Sequence, residues 1–243
     1  MTGDAIGSLI PGAVNFRDVG GLPAGNGTTR RGVLYRSGNL AHLEQEGVDA
    51  LRMLGVRRII DLRADEEVSH APSRVDGLDI ETVRVPLFLG SVASFFERDT
   101  SLAQMYRAMV DDSASRVLEV IRGLLAEQPV LVHCTVGKDR TGVTVALALI
   151  AAGVEEDAVI ADYARTEGML PEWRNRDIVG ELKKLHPEAV NLEELATRSP
   201  ARVMRALLDD LTDRFGSPAG YLRAGGLRED EIAELRRVLV AET

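Results

Sequence analysis

The chain is poor in the residues that hold proteins together by special means. A single cysteine, Cys134, among 243 residues rules out an intramolecular disulfide and any centre built from several thiolates. The four histidines, His42, His70, His133 and His186, show none of the paired helical or finger-type spacings of a structural metal site, so no metal is expected. Aromatic residues make up 4% of the chain, with one tryptophan, Trp173. Lysine is scarcer still: Lys138, Lys183 and Lys184 are the only three among 29 basic residues, so the positive charge is almost all arginine. No apolar run reaches the ~18–20 residues of a membrane span, and the best candidate, 143–152, is too short. The opening MTGDAIGSLIPGAVNF lacks the basic start and sustained apolar stretch of a secretory leader. That predicts a cytoplasmic protein without integral membrane association, and leaves export by a non-classical route open. Against 38 acidic residues the basic ones give a net charge of −9, which argues against a grip on nucleic acid or anionic membrane through bulk charge.

What is present reads as one α/β domain spanning 1–243, long enough to bury a core without staples. Glycines at 20, 21, 25, 27, 32 and 38 punctuate the opening third and imply tight turns between short strands. Strands are predicted from Gly32, over 56–62, over 80–87 and over the wholly apolar Val130-Leu-Val-His, the last of a kind buried in parallel sheets. Helices are predicted over 44–54, 102–110, 117–125 and 140–152; the last is apolar nearly all round and therefore central. A mainly parallel four-stranded sheet flanked by helices over 11–155, followed by an extension over 156–243 that reads as helical throughout, fits the pattern.

The informative stretch runs from that buried strand through a tight loop into the central helix: His133-Cys134-Thr135-Val136-Gly137-Lys138-Asp139-Arg140-Thr141-Gly142. A helix N-terminus offers unpaired N–H groups and the positive end of the macrodipole. Successive amides of the loop, Thr135, Val136, Gly137 and Lys138 among them, can turn inward as a nest around a tetrahedral oxyanion. A thiol at the mouth of such a field ionises more readily than a free one. Arg140 can return a planar fork to two oxygens of the same anion. A thiolate beneath an anion cradle suits attack on phosphorus, where the protein's task is positioning and stabilisation of the equatorial oxygens.

This stretch resembles the Cys-x5-Arg signature of the protein tyrosine phosphatase superfamily, in the fuller form of its atypical bacterial branch. NFRDVGG at 15–21, Arg36-Ser37-Gly38 and Asp61-Leu62-Arg63 resemble that branch's other short motifs, in the same order. The resemblance implies a cysteinyl-phosphate intermediate on Cys134, phosphate held by Arg140, thiolate stabilisation by the Thr141 hydroxyl, and His133 orienting the loop from behind. It implies no cofactor. The expected partners are phosphotyrosine proteins or peptides, with phosphoinositides as a further or main class, and inorganic phosphate or vanadate as site ligands. Lys138, in the loop, would meet extra phosphates on an inositol ring. A helical lid over 166–200 is implied by members of the family that carry one.

The general acid is left open among several aspartates. The branch implies Asp139, inside the loop, although an acid beside an arginine and a helix N-terminus is drawn toward its ionised form. Asp61 at a strand end is the second choice, and Asp111 or Asp112 the third. Arg17 and Asp18 fit a turn and a site equally well. Other thiolate chemistries, sulfur transfer or arsenate reduction, fit less well: the former usually goes with a different loop and the latter needs thiols beyond Cys134. A non-catalytic phosphate-reading module is disfavoured by the presence of both Cys134 and Arg140.

Overall fold

The computed structural model of the protein describes residues 10–87 and 93–242; the start of the stretch behind the leader reading, 1–9, lies outside them. The strands, in chain order, are β1 (Arg17–Asp18), β2 (Pro23–Ala24), β3 (Gly27–Thr29), β4 (Leu34–Ser37), β5 (Arg58–Asp61), β6 (Glu81–Arg84), β7 (Val130–His133) and β8 (Val240–Glu242). Helices of the first half are α1 (Gln45–Met53), α2 (Asp65–His70), α3 (Ala93–Glu97), α4 (Leu102–Asp112), α5 (Ala114–Ala126) and α6 (Asp139–Ala151). Those of the second half are α7 (Glu156–Ala164), α8 (Thr166–Met169), α9 (Glu172–Leu185), α10 (Leu192–Thr197), α11 (Ala201–Phe215), α12 (Pro218–Ala224) and α13 (Glu229–Leu239).

The main sheet has the order β1-β4-β7-β5-β6. Its four longer strands are parallel, as the sequence predicts, and the two-residue β1 adds an antiparallel edge beside β4. Val130, Leu131, Val132 and His133 are all buried because β7 lies between β4 and β5 with helices over both faces. The register aligns Ser37, Asp61 and His133 in one row. The RSG, DLR and His-Cys motifs, far apart in sequence, therefore leave the sheet at one carboxyl edge, where open α/β sheets bind their ligands.

α6 follows directly, and eleven of its residues are buried, Val143, Val145, Leu147 and Leu149 among them. α4 starts at a capping box in which the Gln104 N–H donates to Ser101 Oγ and the Ser101 N–H to Gln104 Oε1. Its buried face carries Leu102, Met105, Tyr106, Met109 and Val110, the predicted i, i+3, i+4, i+7, i+8 set. The last ninety residues are not helical throughout: β8 pairs antiparallel with β3, which pairs with β2, in a second, three-stranded sheet. Gly27 fits there because a Cβ would lie 2.0 Å from the Ala241 carbonyl oxygen. Among the described residues no helix is long and apolar enough to cross a membrane.

Leu147 is fully buried at the centre of α6. Leu147→Ala is expected to lower unfolding free energy by about 2–5 kcal/mol, as buried leucine truncations do. Urea denaturation checks the value.

Candidate active site

Gly137 turns the loop with φ at +69°, and a Cβ there would come within 2.3 Å of the Ser37 carbonyl oxygen, so only glycine fits. The loop's carbonyls face outward and are caught by side chains behind it. Thr135 C=O accepts from the Asn39 N–H and from Asn39 Nδ2, both at 3.0 Å. Asn15 Nδ2 donates to the carbonyls of Val136 and Gly137, each at 3.0 Å, and Arg36 Nη2 donates to Gly137 C=O at 2.9 Å. In a trans peptide the C=O and the next N–H point opposite ways. The N–H groups of Val136, Gly137 and Lys138 therefore face the inside of the loop, as an anion nest requires.

Behind this wall lies a charged cluster almost sealed from solvent. Arg17 Nε donates to Asp162 Oδ1 at 2.8 Å and Arg36 Nη1 to Asp162 Oδ2 at 2.9 Å, with exposures of 3%, 1% and 3% for Arg17, Arg36 and Asp162. Arg17 also donates to Thr166 Oγ1 and to Asn15 Oδ1, which turns the Asn15 amide nitrogen toward the loop. Two buried guanidinium groups, with the exposed Arg165 a third at 3.9 Å, meet one buried carboxylate. Burial first, then the charge of Arg36, lowers the Arg17 guanidinium to about 10 against the pull of Asp162. Asp18 serves the turn instead, accepting from the N–H groups of Gly20 and Gly32. Arg17 thus belongs to the site's support and Asp18 to the turn.

Cys134 lies on the floor of the loop, 2% exposed, while Thr135, Val136 and Asp139 form a partly exposed rim. Arg140 is held in place by Glu67, a residue sequence reasoning passed over. Its Nη1 donates to Glu67 Oε2 at 2.6 Å and its Nη2 to Glu67 Oε1 at 2.7 Å, a bidentate pair. The Thr135 hydroxyl also donates to Glu67, and Arg140 Nη2 to Thr135 Oγ1. Burial would raise the Glu67 carboxyl, but the Arg140 bonds and charge, with the Thr135 hydroxyl, hold it at about 2. Among the described residues the Arg140 Nε–H donates to no acceptor.

His133 is fully buried, and its Nδ1–H donates to the Cys134 carbonyl at 3.2 Å. Burial, opposed by the charge of Asp61, lowers its pKa, so the ring is neutral at pH 7. The Thr141 hydroxyl is buried without any partner, hence not bonded to Sγ in this state, and stands as an unused donor. Asp61 is neither a surface ion pair nor an acid at the site edge. It is 2% exposed, bonded by Arg63 through Nε, Nη2 and the backbone N–H. Burial pushes its carboxyl up, but the Arg63 bonds and charge prevail and hold it low. It braces the strand end behind His133.

Lys138 also departs from expectation. Its amine is fully buried and donates to Asp139 Oδ1 at 2.7 Å, to Leu195 C=O at 3.2 Å and to Arg198 C=O at 2.9 Å. The side chain ties the loop to the end of α10, with no hydrogen left to reach a substrate phosphate; only its backbone N–H serves the nest. Asp139 Oδ1 accepts as well from the Tyr106 hydroxyl at 2.8 Å, and Tyr106 in turn accepts from Tyr163 at 2.8 Å. Burial, then the Asp139 charge, raises both phenols, which keeps them protonated donors. Asp111 is engaged with Arg214 at 2.6 Å on the surface, and Asp112 is exposed at the end of α4.

Residues 9–241 match the family described as the tyrosine phosphatase family. The triple specificity protein phosphatase PtpB of Mycobacterium tuberculosis is 30% identical over 275 aligned positions, which cover 95% of this chain and 98% of that protein. A tyrosine-protein phosphatase of Nostoc commune is 30% identical over 214 positions, 83% of this chain and 72% of the other. Among solved structures, P. aeruginosa TpbA in complex with pTyr aligns with 70% of this chain and 88% of its own at 21% identity and a TM-score of 0.39.

Glu67 is in its charged form above the ordinary glutamate value of 4.5, and the stability it lends is lost only as pH falls through about 2. Glu67→Gln removes the charge while keeping the shape, so the Arg140 fork loses its fixed plane. A fall in kcat/KM of about ten- to hundredfold is expected from such a loss of positioning. Steady-state kinetics at pH 6–8 (about that range, where the pair is charged) checks it; an unchanged or raised value would make the carboxylate a competitor of phosphate.

Proposed function

The chain belongs to the tyrosine phosphatase family, phosphoric monoester hydrolases, and from that premise we propose that it hydrolyses phosphotyrosine esters through a cysteinyl-phosphate on Cys134. The observation that carries this reading is the capture of three successive loop carbonyls by Asn39, Asn15 and Arg36, which leaves the N–H groups of Val136, Gly137 and Lys138 facing the inside of the loop that Cys134 opens. A phosphoryl group entering past the rim meets those N–H groups and the Arg140 Nε–H. The thiolate attacks phosphorus and the bond to the ester oxygen breaks. That oxygen emerges at the rim, where Asp139 is the partly exposed acid and gives up a proton from its Oδ2 side. Water then attacks the cysteinyl-phosphate, its proton passes to Asp139, and phosphate leaves with the thiolate restored. The unpaired Thr141 hydroxyl is the donor available to the sulfur as charge returns to it.

A phosphoinositide reading cannot rest on Lys138, whose amine is used up inside the protein. Core and extension act as a single domain in this reading, because the loop itself is bonded to α10. The lid predicted over 166–200 divides accordingly. α10 is buried and fixed by Lys138, whereas α9 has no buried residue, so α9 is the part free to move over the site.

Purified protein is expected to release nitrophenol from p-nitrophenyl phosphate without added metal and to be inhibited by vanadate. Cys134→Ser should abolish turnover while retaining phosphate binding. Asp139→Asn should slow hydrolysis of poor leaving groups by about 10²–10⁴-fold and of good ones much less. If Asp61→Asn alone shows that pattern, the acid is misassigned; turnover by Cys134→Ser would refute the covalent route. Limited proteolysis should cut within 172–190 first and be slowed by vanadate, and cutting indifferent to vanadate counts against a lid.

A further inference from the structure

Beside the loop a cleft of about 540 Å³ separates segment 10–14 from the start of α9. On the loop side it opens on Thr135 and Val136, two of the three rim residues, and its outer wall is Trp173 and Arg174. A phosphoryl group seated in the loop leaves its ester oxygen at that rim, so the group attached to the oxygen runs out over Thr135 and Val136 and into the cleft. Pro11, Ala13, Val14 and the Trp173 indole make this path largely apolar. The indole is 63% exposed, the only tryptophan of the chain and one of few large apolar side chains left facing solvent. An aromatic ring laid against it would bury apolar area on both partners and gain the geometry of an aromatic pair.

Arg174 supplies the second half of the recognition. Most arginines of this surface are paired with carboxylates, whereas Arg174, like Arg176, forms no ion pair among the described residues, and of these two only Arg174 lines the cleft beside the loop. Its one recorded bond runs from Nη1 to the amide oxygen of Asn175, its neighbour, at 3.2 Å. It is half-buried at the cleft and lies within the electrostatic reach of Asp139. Arg176, two positions on and on the other side of α9, lines a separate cavity among α8, α9 and α10 instead.

We propose that this cleft holds the aryl leaving group of phosphotyrosine, with Trp173 against the ring and Arg174 paired with an acidic side chain next to the phosphotyrosine in the substrate chain. The assignment rests on the phosphatase reading and narrows it from phosphomonoesters at large to phosphotyrosine in acidic sequence.

The test is kcat/KM on matched phosphotyrosine peptides with acidic, neutral and basic flanks, a phosphoserine peptide and a short-chain phosphoinositide. Wild type, Arg174→Glu, Trp173→Ala and Arg176→Glu are compared after thermal melts confirm folding. Wild type should favour the acidic over the basic flank by about three- to fivefold, the size of a partly exposed ion pair. Arg174→Glu should invert that preference, while Arg176→Glu, with the same charge change on the same helix, should keep it. Trp173→Ala should lower phosphotyrosine hydrolysis about tenfold more than phosphoserine hydrolysis. A flank preference unmoved by Arg174→Glu overturns the assignment, as does a loss confined to the phosphoinositide, which would make the cation a reader of headgroups. Absence of turnover on every ester, p-nitrophenyl phosphate included, overturns the phosphatase reading itself.

Discussion

A loop that offers its N–H groups to an anion must dispose of the carbonyls of the same peptides, since a buried carbonyl left unpaired costs about 1–3 kcal/mol. Here the disposal is complete for three consecutive peptides. Asn39 takes Thr135, Asn15 takes Val136 and Gly137, and Arg36 takes Gly137 again. The donors come from the segments after β4, before β1 and within β4, so the fold itself decides which way the loop's dipoles point. Because the orientation is set by protein groups alone, no peptide needs to rotate when charge develops on a bound phosphoryl group. That is electrostatic preorganisation in its most literal form.

The same wall explains why so much charge is buried behind it. Two buried guanidinium groups against one carboxylate leave the cluster a surplus of positive charge, and burial, then the Arg36 charge, lowers the Arg17 guanidinium. Asp162 organises the pair: it fixes Arg17, which fixes the Asn15 amide, and it fixes Arg36, which reaches the loop directly. Residues from β1, β4 and α7 thus converge on one backbone segment. The surplus positive charge lies on the side of the loop away from solvent, where an anion above the loop would feel it least screened.

Much of this was legible in the sequence. The apolar β7, the all-round apolar α6 and the Cys-x5-Arg spacing led directly to the loop at the centre of the sheet. The motifs at 15–21, 36–38 and 61–63 were legible as belonging together, but not their task. Arg17 and Asp18 beside glycines read equally as turn or site, and only the pairing of Arg17 with Arg36 and the register of Ser37, Asp61 and His133 bring the three motifs together. Glu67 was hidden because it closes the run Asp65-Glu66-Glu67, which reads as a solvated first turn of a helix. Lys138 misled for the opposite reason: an ammonium group in an anion loop reads as a ligand for anions. Its partners are carbonyls some sixty residues further on, a distance in sequence that spacing alone does not encode. β8 escaped because three residues after an amphipathic helix carry no strand period.

The Lys138 amine is a strut between the loop and the end of α10. Each of its hydrogens is committed, one to the loop's own Asp139 and two to carbonyls at the end of α10. A displacement of α10 would strain that grip, and whatever coupling the strut carries acts equally in both directions. The cavity of about 720 Å³ bounded by α8, α9 and α10 opens on that helix rather than on the sulfur. An occupant there would rest on the helix whose end the Lys138 ammonium grips, without touching the reacting phosphate.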